Sequence, residues 1–183
     1  MGILLAILAV LYPVLAYVGL RYGSPDIVAT GLILLLLLRY KLAKSVIIER
    51  AHVKLFVSAV LVVLGYSMLT DSSYGIRLYP VVMSLLFFAV FVLSLFSSQS
   101  LIERIARIKE PELPISAVNY TRKVTMVWCA FFLCNGGIAF YTALFSTIET
   151  WTIYNGFISY CLMALVGAGE WLVRGKFKYK GQA

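Results

Sequence analysis

Long uncharged apolar runs, separated by three knots of Lys and Arg, constrain this chain more than any other feature. Of its 16 basic residues, 14 fall into three clusters. The first is Arg39, Lys41, Lys44, Arg50 and Lys54; the second is Arg104, Arg107, Lys109, Arg122 and Lys123; the third is Arg174, Lys176, Lys178 and Lys180. Each cluster follows the second member of a pair of apolar segments. Cytoplasmic loops collect Lys and Arg while translocated loops do not, so the spacing predicts sidedness. The chain reads as one threaded several times through a membrane.

Composition agrees. Hydrophobic residues fill 62% of the 183 positions and charged ones only 13%, against roughly 45–50% and about 25% in soluble domains. That much apolar surface needs lipid as its solvent. The net charge of +8 could suit a nucleic-acid backbone, but the charge sits in short loops beside apolar segments. The topological reading therefore excludes nucleic acid as the expected partner and makes the bilayer the expected one, with some attraction to anionic headgroups.

A span needs about 20 apolar residues. Six stretches approach this: Gly2–Leu20, Ile27–Leu38, Leu55–Thr70, Leu78–Phe96, Val124–Ile148 and Thr150–Val173. The fold class expected is all-α, a single polytopic transmembrane domain over 1–183, with six helices and both termini cytoplasmic. Only Arg21 and Arg77 then lie outside. The second stretch is short, and a five-span chain with an outside N-terminus satisfies the same count. The first stretch lacks a basic leader and a small-residue cleavage site, so it reads as a retained span. Tyr22, Tyr74, Tyr79, Trp151 and Tyr154 near the outer ends, and Tyr40, Tyr120, Trp128, Trp171 and Tyr179 near the inner ones, resemble aromatic belts.

The longest expected cytoplasmic loop is 97–123. Within it Leu101, Ile102, Ile105 and Ile108 share one helical face, which predicts a short interfacial helix ended by Pro111 and Pro114. A cytosolic extension of the fourth span reads the pattern equally well.

Candidate chemistry is sparse. No acidic, basic or His residue falls near the middle of a span, where proton and ion pathways usually place one. Asn135, Ala139, Ala143 and Thr147 share a face of the fifth span beside Gly136 and Gly137; Ala164 and Ala168 do so in the sixth. Such faces pack helices closely, with Asn bonding across the contact; a lipid-binding crevice is the sharper alternative. Glu170 and Arg174, beside Trp171, are spaced as an i, i+4 ion pair. His52 stands alone in a basic loop. Cys129, Cys134 and Cys161 form no ligand cluster, so no metal is expected. Metalloprotease, hydrolase, P-loop and dinucleotide motifs are missing, as is an HxxxxD acyltransferase pattern, so neither a cofactor nor an enzymatic activity is expected.

Several stretches carry a resemblance. Leu101-Ile102-Glu103-Arg104, Lys109-Glu110-Pro111-Glu112-Leu113-Pro114 and Val127-Trp128-Cys129-Ala130-Phe131-Phe132, with Trp151 and Asn155 after them, resemble the bacterial intracellular septation protein A family. Its members are small inner-membrane proteins of five or six spans. Tyr12-Pro13-Val14-Leu15-Ala16-Tyr17, Tyr154-Asn155-Gly156 and Gly169-Glu170-Trp171-Leu172-Val173-Arg174 are similar to a branch of uncharacterised membrane proteins. That branch is encoded beside acyl carrier proteins, ketosynthases and acyltransferases of aryl-polyene-type pathways. The resemblance implies a bacterial inner-membrane location and a pathway neighbourhood, not a reaction.

The function expected is therefore that of a non-enzymatic accessory to a lipid-linked or acyl-chain envelope product. A septation or elongation factor acting by protein contacts is one alternative, and a small lipid transferase or flippase another. Lipid- or partner-binding candidates are Arg104, Arg107, Lys109, Arg122, Lys123, Trp128, Asn135, Asn155, Glu170, Trp171 and Arg174. The basic members in the loop suit an acidic partner such as acyl carrier protein, or a division protein.

Overall fold

A computed structural model of the chain describes residues 74–180, with 175–180 as helical backbone only, and scattered helical positions before them (17–19, 30, 31, 34, 58, 62 and 65). Apart from those positions the first three expected spans lie outside the described residues, as do the first basic cluster, His52 and the placement of the N-terminus. Every described element is helical: α1 (Tyr74–Leu95), α2 (Leu101–Arg107), α3 (Ile115–Phe145), α4 (Ile148–Ile153), a π turn (Tyr154–Ile158) and α5 (Ser159–Lys180). The last three run on without a break.

Three of these rods are long and apolar enough to cross a membrane: Tyr74–Leu95, Ile115–Phe145 and Ile148–Arg174, with 22, 31 and 27 residues. At 1.5 Å per residue they reach about 33, 46 and 40 Å, against about 30 Å of hydrocarbon and 40–45 Å with headgroups. Arg77 meets Thr142, Ser84 meets Asn135, and Phe91 meets Phe132, so α1 and α3 run antiparallel along most of α1. Tyr154 meets Asn135 and Tyr120 meets Glu170, so the last rod returns antiparallel to α3.

The stripe α3 turns inward is Thr121, Thr125, Cys129, Phe132, Gly136, Ala139 and Ala143, three or four residues apart as one helical face requires. Toward its basic end, beyond the buried Thr121 and Thr125, the stripe enters an aromatic cluster. Val90, Phe91, Leu101, Cys129 and Phe132 form a buried cluster that Phe87, Trp128, Phe131 and Met163 extend. Phe87 stacks on Phe132 at 5.1 Å, and Trp128 on Phe132 at 5.7 Å. Its other half is small and polar. A Cβ on Gly136 would meet the Ser84 Cβ at 3.1 Å, so the glycine is what lets the two backbones approach.

Four boundaries differ from the expectation. Helix α3 starts at Ile115, not Val124, with Pro114 at its N-cap; past that proline nothing breaks a helix, and polarity marks where lipid ends rather than where helix does. The turn into the last rod is at Ser146–Thr147 rather than around Glu149, because the Thr147 hydroxyl caps α4 by accepting from Thr150 N–H. Thr147 therefore leaves the face of Asn135, Ala139 and Ala143. Helix α1 already includes Tyr74, which takes Arg77 out of the loop and into the helix. Helix α2 ends at Arg107, ahead of Pro111 and Pro114.

Candidate functional site

The polar residues of the apolar rods converge on one seam between α1, α3 and the π turn. Asn135 is at its centre and is 6% exposed. Its Nδ2 donates to Ser84 Oγ at 3.1 Å, and its Oδ1 accepts from the Tyr154 hydroxyl at 3.0 Å. One amide thus ties three rods. Two turns toward the Ser146 end, Asn155 Nδ2 donates to Thr142 Oγ1 at 3.2 Å and to Trp151 O at 2.9 Å. Thr142 Oγ1 in turn donates to Ala139 O at 3.0 Å.

Arg77 closes the seam at the Ser146 end. Its Nη2 donates to Thr142 O at 3.0 Å and to Ser146 O, two carbonyls at the C-terminus of α3, where a helix leaves acceptors without partners and gathers negative potential. Its own carbonyl accepts from Trp151 Nε1 at 3.0 Å. Arg77 Nε and Asn155 Oδ1 are buried with no hydrogen-bond partner.

The π turn brings Tyr154 and Asn155 into this seam. Ser159 N–H bonds Tyr154 O, a wider turn than the α-helical one and frequent where a helix carries function. Trp151, Tyr154, Asn155 and Ser159 are all buried. Trp151 and Tyr154 therefore face protein and not lipid, whatever their depth. Each buries its ring because its polar atom finds a protein partner, as Tyr and Trp require when buried.

At the other end of the rods lies the second basic cluster, and there the structure separates the candidates. Arg104 donates through Nε to Gln99 O at 3.3 Å and through Nη2 to Ser97 Oγ at 3.1 Å. Arg107 pairs with Glu103 at 2.8 Å and donates to Pro111 O at 2.8 Å. These two arginines hold their own loop together. Lys109, Arg122 and Lys123 are exposed. Trp128 is packed in the aromatic cluster. On α5, Arg174 Nε lies 3.5 Å from Glu170 Oε1, the Glu170 carbonyl accepts from the Tyr120 hydroxyl at 3.2 Å, and Trp171 is 65% exposed. Ala164 and Ala168 are exposed, so they form no packed face among the described residues.

The structure thus joins Asn135 and Asn155 in one seam and sets Glu170, Trp171 and Arg174 apart at the far end of α5. Sequence reasoning passed over Arg77, Ser84, Thr142 and Glu103. Ser84 and Thr142 are single hydroxyls in apolar runs and give no signal. Glu103 did give one: Ser100 and Glu103 have capping-box spacing, and Ser100 Oγ accepts from Glu103 N–H at 3.4 Å. Among the described residues, no group of His, Cys, Asp and Glu is placed to hold a metal ion. Comparison with protein-family models, with curated proteins and with solved structures gives no match.

Proposed function

We propose that the chain is a six-span protein of the bacterial inner membrane that assists assembly or handling of a lipid-linked or acyl-chain envelope product without chemistry of its own. The polar seam carries this reading. Asn135, Asn155, Thr142, Ser84 and Tyr154, the groups between the rods best suited to bind or turn over a substrate, bond to one another across the helix contacts. In lipid, where apolar matching gives helices no reason to associate, such bonds and close small-residue contacts are what joins them. Three apolar rods and the one-sided basic clusters support the location. The partner class is acidic soluble protein, acyl carrier protein first, drawn by the exposed Lys109, Arg122 and Lys123 through complementary charge.

Deleting the gene and measuring extracted lipids, pigment and cell length tests the reading. Loss or alteration of an acyl product at normal cell length is expected. Filamentous or short cells with normal lipids would replace it with a division factor. Asn135→Ala and Glu170→Gln should lower product only as far as they lower protein abundance; inactive protein at normal abundance would move the assignment to a transferase or flippase.

A further inference from the structure

Several polar groups of the turn joining α1 to α2 find their partners within the turn and the helix that follows it. Leu101 N–H donates to Ser94 Oγ at 3.0 Å, and Ser94 Oγ donates to Phe91 O at 2.7 Å. Ser97 Oγ lies 2.8 Å from both Ser94 O and Gln99 O. Arg104 covers Ser97 Oγ and Gln99 O from the next turn. Ser100 is 2% exposed and Glu103 only 4%, the latter paired with Arg107. A turn standing in cytosol has water for these groups. One at membrane depth must supply its own partners.

The depth of α2 follows from what it touches. Leu101 is buried with Cys129 and Phe132 of α3. Those residues lie about 10 and 15 Å along the helix from Arg122 toward the apolar centre. The start of α2 is therefore level with hydrocarbon, while Arg122 and Lys123, both exposed, stand where headgroups would be. Beyond Leu101 the same face is uncovered among the described residues: Ile105 is 42% and Ile108 59% exposed, with Phe96 at 84% just before the helix. Lys109 follows Ile108 directly and is exposed.

We infer that α2 is seated in the interface of one leaflet, with Phe96, Ile105 and Ile108 among the upper acyl chains and Lys109, Arg122 and Lys123 against anionic phospholipid headgroups. The inference rests on the membrane reading of the rods, not on the accessory role. Apolar side chains at the acyl boundary with a basic rim are the arrangement that holds an interfacial helix, and anionic lipid strengthens it. The fit decides between the two readings of the loop pattern: α2 is not a cytosolic extension of the preceding span, since it folds back onto the bundle at Leu101.

The test reconstitutes the full chain, with Cys129, Cys134 and Cys161 changed to Ala, in phosphatidylcholine bilayers with or without phosphatidylglycerol. Spin labels are placed by Ile105→Cys, Ile108→Cys, Glu112→Cys and Leu133→Cys, and collisions with oxygen and with a water-soluble nickel chelate give depth. Leu133, exposed in mid α3, should read deep. Labels at 105 and 108 should read at the acyl boundary, several-fold less open to the nickel reagent than the label at 112, and deeper with phosphatidylglycerol present. Reversing Lys109, Arg122 and Lys123 to Glu should remove that lipid dependence. Water-exposed labels at 105 and 108 with a deep label at 133 would overturn the inference alone; an aqueous label at 133 would overturn the membrane reading too. Labels shielded from both reagents would mean protein covers the patch, and equal depth in both bilayers would remove the anionic headgroup; either result overturns the inference. With the native cysteines retained, a phospholipid carrying a photoreactive group at the glycerol level should crosslink to the segment 101–108; no crosslink there would likewise overturn it.

Discussion

Replacing Tyr154 by Phe removes one oxygen atom and one bond, the 3.0 Å hydrogen bond to Asn135 Oδ1, while leaving the buried ring in place. Interhelical hydrogen bonds in membranes average about 0.6 kcal/mol and reach about 1.7. Tyr154 and Asn135 are 8% and 6% exposed, and Tyr154→Phe leaves Oδ1 without its partner, so about 1 kcal/mol is expected. Asn135→Ala removes this bond and the one to Ser84, and should cost about 1–2 kcal/mol, twice the single-bond value with some relaxation. Once Asn135 is gone the hydroxyl has lost its acceptor, so Tyr154→Phe should then cost little. The double variant should be less destabilised than the sum of the singles by about 0.6–1.7 kcal/mol. Unfolding of purified protein in mixed detergent micelles, followed by helical circular dichroism and by tryptophan fluorescence, measures all four corners of the cycle. Additivity within about 0.3 kcal/mol would refute the claim that this pair joins α3 to the last rod, and would return Asn135 to the pool of ligand-binding candidates.

Gly136→Leu should destabilise by about 1–3 kcal/mol by overpacking, because a Cβ there already meets Ser84, whereas Gly137, with nothing within 4 Å of its Cβ position, should accept Ala with a gain of about 0.5–1 kcal/mol from helix propensity; thermal midpoints in detergent compare them. Arg77→Met should free the Thr142 and Ser146 carbonyls and cost about 1.5–3 kcal/mol, the range for a charged hydrogen bond, with faster amide exchange confined to the end of α3 and to α4. Arg107→Ala leaves Glu103 buried at 5% side-chain exposure; the loss should fall below the roughly 3–5 kcal/mol of a fully buried pair because the arginine is 29% exposed, and limited proteolysis should reveal it as new cleavage between α1 and α3. In carrier-protein pull-down, charge reversal at Lys109, Arg122 and Lys123 should reduce recovery, and reversal of Arg104 and Arg107 should act only through misfolding of the loop.

How much of this was legible in the chain depends on which physical term wrote it. Lipid solvation wrote the apolar runs, and the three described rods fall where those runs predict them, although six spans reach beyond the described residues. Helix ends followed a different term. Arg122 and Lys123 end the apolar window, so α3 was expected to start after them, but a helix with no breaker continues through charge until Pro114 stops it. Small-residue spacing did announce the tight contact, since Asn135, Ala139 and Ala143 are buried. The same spacing at Ala164 and Ala168 meets no partner among the described residues, where both are exposed, since a small residue permits a close approach without compelling one. The belts failed at Trp151 and Tyr154 for a related reason. Position along a span gives the depth of a ring, and only its hydrogen-bond partner tells whether it faces lipid or protein.

The two ends of α3 place opposite demands on the bundle, and that opposition narrows where a partner can act. At the Ser146 end the Arg77 guanidinium caps α3 while the Arg77 backbone carbonyl accepts from Trp151 Nε1, so α1, α3 and α4 are pinned together there. A ligand entering at that end would have to displace bonds between three rods. At the other end α1, α2 and α3 share an aromatic cluster that the last rod joins only through Met163, the last rod meets α3 again through Tyr120 and Glu170, and among the described residues its most apolar stretch is 6% buried against 39% for α3. Rings packed with offset and tilted geometries slide at lower cost than a seam of hydrogen bonds parts, since dispersion falls off gradually while a bond depends steeply on angle. Movement between rods is therefore expected at the basic end, beside α2 and the exposed lysines. A partner docked or a lipid bound at that end would meet a last rod held by few contacts among the described residues, and would leave the seam of Asn135 and Asn155 intact.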